Sequence, residues 1–268
     1  VRVTNERFII RIEGLYRNIG YMIKSNMASY SQMSGVEAMK QVIEKFPKMS
    51  WATDNIEVSN DIQTWLQPNI TDRDFINKVW LHSYIPNSFI AIGITIFGQF
   101  RCLDMNDHIQ SGETWEFCDY NNTSGDKSTI TIQSGFVVSS DSGLHNYISG
   151  YGKSQTIHDV DSGEDTVLET VVVPLLCGNE PLDKNNEIED LRVGRHGYTN
   201  ANVHEYYQEA YNVNRANFIT FSQVSTEVLY HSILYDMRVL DIVMLMGKTG
   251  KDTNLTMYQG KYIISKIV

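Results

Sequence analysis

Apolar and polar positions alternate along this chain in short stretches, and twice the alternation gives way to helical spacing. Residues 7–13 are rich in β-branched side chains and stop at Gly14, which predicts a strand, with residues 15–22 as its partner. Ser34, with Glu37 three positions on, reads as a capping box ahead of Val36, Met39, Val42, Ile43 and Phe46, a helix that ends by Pro47. A second box, Thr71 and Asp74, opens a helix whose Phe75, Ile76, Val79, Trp80 and Tyr84 line one face before Pro86. Between the two helices lies an extended segment, 56–68, that contains Trp65. After Pro86 the stretches 89–97 and 100–104 read as a β-hairpin about Gly98, packed on the preceding helix as an α+β unit.

From 106 to 163 the sequence turns polar and glycine-rich, and short strands are expected at 129–132, 136–138 and, just beyond, 166–173. Residues 178–200 are acidic and aperiodic, which predicts an exposed loop. A helix is expected at 203–215, capped by Asn202 and carrying Tyr206, Tyr207, Ala210 and Tyr211 as packing residues against a sheet. Strands at 218–224, 228–237, 240–246 and 256–267, the last interrupted by Gly260, predict an antiparallel sheet or small barrel. No repeat of fixed period is present.

Composition narrows the function classes. The chain has 268 residues, 42% of them hydrophobic and 20% charged, so it can bury a real core and is not intrinsically disordered over most of its length. Its longest apolar runs fall well short of the ~18 residues a membrane helix needs, and a soluble protein is expected. The 22 Lys and Arg against 32 Asp and Glu give a net charge of −10, the wrong sign for neutralising phosphates. Generic nucleic-acid binding is thereby disfavoured, whereas a passage that DNA crosses without sticking is compatible. Cys102, Cys118 and Cys177 form neither a CxxC pair nor an even framework and read as ordinary thiols of a reducing compartment. No basic-then-apolar leader precedes the first strand, and the chain opens at Val1 and closes at Val268, as an excerpt or processed product would.

The search for catalytic chemistry is mostly negative. Gly152-Lys153-Ser154 and Gly247-Lys248-Thr249 resemble the end of a phosphate loop, but Tyr147 and Ile242 stand where its first glycine belongs. His204-Glu205 starts like a zincin helix, yet Gln208 replaces the second histidine. The seven histidines, 82, 108, 145, 158, 196, 204 and 231, form no local ligand pair. The acidic groups Glu187/Glu189/Asp190 and Asp161/Glu164/Asp165 read as solvated loops rather than calcium or glycosidase sites, and no GxSxG elbow occurs. No catalytic residue, metal ligand or cofactor-binding residue is therefore expected, nor a cofactor. Trp65 and Trp80 read as core, and Trp115, between Glu113 and Phe117 in a polar stretch, as an interface anchor.

The order of these elements resembles a known family. It runs through the stretch Ile62-Gln-Thr-Trp-Leu-Gln-Pro-Asn-Ile-Thr-Asp-Arg-Asp-Phe-Ile76, continues to Asp104-Met105, and resumes at 203–268 with its closing Gly260-Lys-Tyr-Ile-Ile-Ser-Lys-Ile267. In these features the chain is similar to the baseplate hub proteins of contractile-tailed bacteriophages, relatives of the hub part of the type VI secretion spike. The resemblance implies a β-rich α+β protein with two tube-type antiparallel β-barrels, the first incomplete here, and an inserted α+β outer domain. Residues 1–30 would end the first barrel and 31–105 form the outer domain. Residues 106–158 and 201–268 would build the second barrel, with 159–200 an outer loop-rich segment. It further implies a non-enzymatic virion protein of the tail baseplate, assembled in the host cytoplasm. Such a homotrimer adapts the six-fold tail tube protein to the three-fold central spike protein, beside other baseplate proteins, around a channel that DNA passes without specific binding. Trimer closure would use strand edges and apolar faces, with Trp115, Ile233, Val243 and Tyr262 as interface candidates. The alternative is a receptor-binding or peripheral tail protein that contacts a host glycan through aromatic loops.

Overall fold

The computed structural model describes residues 2–4, 7–9, 19–111, 114–118, 129–131, 137–140, 154–169, 195–221, 224–228, 237–246 and 260–267. The first half runs β1 (Arg2–Thr4), β2 (Arg7–Ile9), α1 (Ile19–Ile23), β3 (Ser25–Met33), α2 (Gly35–Ile43), β4 (Ser50–Trp51), β5 (Gln63–Thr71), α3 (Asp72–His82), β6 (Ile90–Ile94), β7 (Gln99–Asp104) and α4 (Met105–Ser111). Then follow β8 (Thr114–Cys118), β9 (Thr129–Thr131), β10 (Val137–Ser140), β11 (Ser154–Asp159), β12 (Asp165–Glu169) and β13 (Arg195–Thr199). The last elements are α5 (Tyr207–Phe221), β14 (Val224–Glu227), β15 (Ile242–Met246) and β16 (Gly260–Ile263). The class is α+β and strand-rich.

Both predicted capping boxes start helices. Ser34 accepts from the Glu37 amide while the Glu37 carboxylate accepts from the Ser34 amide at 2.8 Å, satisfying two otherwise orphaned donors of α2. Thr71 accepts from the Asp74 amide at 3.1 Å and starts α3. Of the apolar positions read from the sequence, Val36, Met39, Val42 and Ile43 on α2 and Phe75, Ile76 and Val79 on α3 are buried; Phe46 and Trp80 are partly buried against the same core, and Tyr84 lies beyond the end of α3. Gly35 sits where the two helices and the 59–61 segment converge, and a Cβ there would lie 2.1 Å from Ser83 Oγ and 2.7 Å from Asp61 Oδ2. Only glycine fits.

Two strand systems cover these helices. β3 and β5 form an antiparallel ribbon whose inward Tyr30 and Trp65 face each other in register; Tyr30 stacks on Phe75 at 5.1 Å. The predicted hairpin is β6 and β7, antiparallel from Ile90↔Asp104 to Ile94↔Phe100, with Gly98 at φ 79° turning the chain. β4 adds to β7 in parallel, and Trp80 donates its indole N–H to Ile90 O at 2.6 Å, fixing hairpin to helix. One cluster containing Tyr30, Val36, Met39, Ile43, Trp65, Phe75, Ile90 and Phe100 fills the space between them.

At the start of the chain and beyond residue 105 the structure corrects several expectations. Of the expected partner strand 15–22, the described part, from residue 19 on, is not paired with β2. Its partner is β1 through the short connection Thr4↔Arg7, while 19–23 coil into α1 and place Tyr21 edge-on to Phe46 at 5.8 Å. A near neighbour in sequence closes the smaller loop and loses less chain entropy. The 178–200 loop reading fails at its end, where β13 joins β11 in parallel; its polar sequence carries no strand alternation, and the free edge of β11 decides its fate. α5 starts at Tyr207 rather than 203, because His204 is held as a turn by the side chain of Gln63. It then runs to Phe221, over the expected strand 218–224, since no Gly or Pro interrupts it. The expected strand 228–237 lies almost wholly outside the described residues.

The terminal sheet has the order β16-β15-β8-β9 and is mixed: β15 pairs antiparallel with β16 but parallel with β8, and β8 parallel with β9. The all-antiparallel expectation is thus corrected, because β8, from the middle of the chain, enters beside β15 and a parallel pair needs a long crossover. Among the described strands this sheet does not close into a barrel; β16 and β9 are its ends. β11 is flanked by β12 and β13 in a separate sheet, and β10 pairs with β14. Among the described residues, no helix is long and apolar enough to cross a membrane.

Candidate functional site

Three of the four interface candidates come together. Val243 of β15 stands opposite Trp115 on one side and Tyr262 on the other, so the three side chains form a row across one face of the terminal sheet. They pack with Phe117, Leu245, Met237 and Ile264. Val243 is 8% exposed and belongs to this cluster's interior, whereas Trp115 and Tyr262 are half-buried. Ile233 lies outside the described residues. The opposite face of the sheet sends Ile242 and Ile263 into a second cluster with Phe89, Leu103, Met105, Ile109 and Val213. The sheet is therefore apolar on both faces, one facing the α+β body and one facing away from it.

The terminal sheet is tied to that body by a buried cation. Arg101, fully buried in β7, donates to Asp54 at 2.6 Å, to Asp241 at 2.7 Å and to the carbonyl of Val239 at 2.6 Å. Arg238 joins at 3.1 Å from Asp54. Burial pushes the Asp54 carboxyl up, but the Arg101 hydrogen bond and the charges of Arg101 and Arg238 outweigh it and hold the group below the usual carboxylate range. The same contacts fix the 238–241 turn, where Leu240 adopts φ 74°, a costly conformation for a bulky side chain. Leu240 is held there by its amide bond to Ile264 O at 2.8 Å and by His108 Nε2, which donates to its carbonyl at 3.0 Å.

A second junction docks α5 on the end of α3. Asn214, 2% exposed, donates to the carbonyls of Trp80, Leu81 and Ser83 and accepts from the Ile90 amide at 3.0 Å. It thereby satisfies carbonyls that the end of a helix leaves orphaned. Beside it, His82 donates Nδ1–H to Tyr207 O at 3.0 Å, and His204 donates Nε2–H to His82 O at 2.9 Å. The His82 ring stacks on Tyr207 at 3.7 Å and Tyr84 stacks on Tyr206 at 4.2 Å. The tyrosines thus pack on a helix end, not on a sheet as expected. Burial lowers both imidazoles, His82 to about 4, against the raising effect of the carbonyls they donate to. Asp61, buried beneath α2 and bonded by the Gly35 amide and Ser59 hydroxyl, is raised by its burial.

Cys102 is fully buried, which pushes its thiol far up, and Cys118 is buried too. Cys177, Lys153, Lys248 and Glu187/Glu189/Asp190 lie outside the described residues. Asp161 and Ser162 donate to Asp159 in the turn after β11, and Asp161 in turn caps Ala201 at 2.6 Å. Among the described residues, no group of three His, Cys, Asp or Glu is placed to hold a metal ion.

No protein-family profile and no curated protein matches the chain. Among solved structures it is similar to the tail protein from Neisseria meningitidis MC58, with a TM-score of 0.45 at 8% identity over 85% of this chain. The match spans 60% of that protein's length.

Proposed function

We propose that this chain is a structural subunit of a tail assembly, and that it acts as a homotrimeric hub joining a six-fold tube to a three-fold spike. The observation that carries the reading is the terminal sheet. It holds Trp115, Val243 and Tyr262 in one row on the face turned from the α+β body, and it ends in β16, which pairs only with β15 among the described residues. An end strand of this kind is a liability for a monomer and an attachment edge for an assembly. In the trimer, the first barrel's end strands and the completed terminal sheet form two tube-type barrels per copy, with net charge −10 favouring an unobstructed DNA channel. The role is architectural rather than enzymatic.

Sedimentation velocity on the purified chain tests this. The expected species has three times the 30.6 kDa mass of one chain, and Tyr262→Glu, at the half-buried end strand, shifts it toward monomer with unchanged far-UV circular dichroism. A wild-type chain that stays monomeric both alone and with its spike partner refutes the trimer. Clearing of peptidoglycan in a zymogram refutes the non-enzymatic reading.

A further inference from the structure

The ribbon of β3 and β5 carries no charged side chain in either strand, on a chain where 20% of residues are charged. Its inner face is core. Its outer face sets Met27 directly opposite Pro68 and Ser29 opposite Leu66, with Met27 81% and Leu66 61% exposed. Ile62, just before β5, is exposed as well. Side chains of this size left contiguous and in water mark a contact surface more often than a bare face.

One end of the ribbon has a different character. A cleft of about 310 Å³ opens there, lined by Lys24, Asn26, Met27, Ala28, Lys45, Phe46 and Asp72. Asp72 offsets it only in part: one carboxylate stands against two lysines, and it is 1% exposed, its two oxygens accepting from Asn26 at 2.7 Å and Gln67 at 3.0 Å. Lys45 donates to the Tyr30 hydroxyl and lies over that ring at 4.8 Å, and both lysines are solvent-exposed. Among the described residues, neither lysine pairs with a carboxylate. Two unpaired cations on a protein of net charge −10 stand at the rim of an uncharged apolar strip.

From this complementarity we infer that the ribbon and its cleft are a docking site for an extended acidic segment of another polypeptide. Its carboxylate lies between Lys24 and Lys45, and its next apolar side chains lie on Met27, Pro68 and Leu66. Lys24 and Met27 are three residues apart in extended chain, about 10 Å, so the segment carries its acid about three residues from its first apolar anchor. The bulges at Asn26/Met27 and Tyr30/Met33, with Pro68 in β5, discourage pairing along the strand edges and favour docking on the face. The lysines supply orientation and encounter rate, and the apolar contacts supply residence. This inference does not depend on the trimeric reading above.

The test is an array of ten-residue peptides in which one glutamate and two leucines are moved through all spacings, probed with the full chain. Binding is expected to peak at a spacing of about three, to weaken as sodium chloride rises, and to fall at least tenfold for the Lys24→Glu/Lys45→Glu variant. Met27→Ser/Leu66→Ser should lose binding equally; all four positions are exposed, and unchanged melting curves verify that the variants fold. Preference for lysine-bearing peptides, no dependence on spacing, or unaltered binding by the charge-reversed variant overturns the proposal. Self-association abolished by Met27→Ser/Leu66→Ser but indifferent to both lysines also overturns it, and assigns the face to a second copy of the chain.

Discussion

Replacing Arg101 by methionine keeps the apolar stem of the side chain and removes the cation on which two carboxylates converge. Asp241, with a side chain 10% exposed, and Asp54, 33% exposed, then share the guanidinium of Arg238, at 3.9 Å and 3.1 Å. Breaking a buried pair from one side costs about 3–5 kcal/mol. Arg238 remains and Asp54 is partly hydrated, so the lower end, about 3 kcal/mol, is expected. Urea unfolding followed by tryptophan fluorescence reports it, because Trp51 stacks on Phe100, the residue before Arg101, at 5.5 Å. At a slope of about 3 kcal/mol per molar, the midpoint falls by about 1 M. The acid limb supplies a second readout. Asp54 is held below its unfolded value, so its stabilising contribution is fully present above that value, ~3.9, and is lost as pH falls through the folded pKa. Arg101→Met removes that acid-side loss. Adding Asp241→Asn to the variant restores part of the stability, since one unpaired charge is gone. A single-variant loss below about 1 kcal/mol, the range of an exposed pair, refutes the idea that this network fastens the terminal sheet.

Asn214→Ala strands the carbonyls of Leu81 and Ser83 and the Ile90 amide, while Trp80 O keeps the Ser83 amide, and is expected to cost about 2–3 kcal/mol in the same assay, with faster hydrogen exchange in α5 than elsewhere. His82 is lowered to about 4 by burial, so between roughly 6.5 and 4 the unfolded chain binds the extra proton and stability falls as pH falls, by up to ~1.4 kcal/mol per unit. His82→Asn should flatten that slope between pH 6.5 and 5; an unchanged slope refutes the assignment.

The local half of this fold was legible in the sequence. Ser34 and Glu37, Thr71 and Asp74, and the glycine between two largely apolar runs are signals that act within a few residues, and all three elements formed as read. Legibility failed where a distant partner decides. Residues 195–199 are polar and have no alternation, yet they form a strand because β11 offers an edge. Residues 203–206 read as the first turn of the helix, but Gln63 and His82 hold His204 in a turn before α5 begins.

The candidate site divides along the same line. Trp115 stands out as an aromatic in a polar stretch, and Val243 and Tyr262 as members of expected strands; that they occupy one row is a matter of register between segments more than a hundred residues apart in sequence for the first pair. Arg101 did leave a mark, a lone cation inside Phe100-Arg-Cys-Leu103, where a buried strand has no use for charge unless an acid meets it. Its partners carry no such mark: Asp54 is an acid in turn-rich sequence, and Asp241 stands at the start of an expected strand, where an acid is easily solvated. The two exposed lysines beside the ribbon carry none either, because what distinguishes them is the absence of a charge within 18 residues of β3 and β5, a property visible only once the two strands are known to pair. Charge that is out of place in its own element, or missing from a paired surface, is thus the informative pattern in this chain, and it points to contacts that the element cannot make alone.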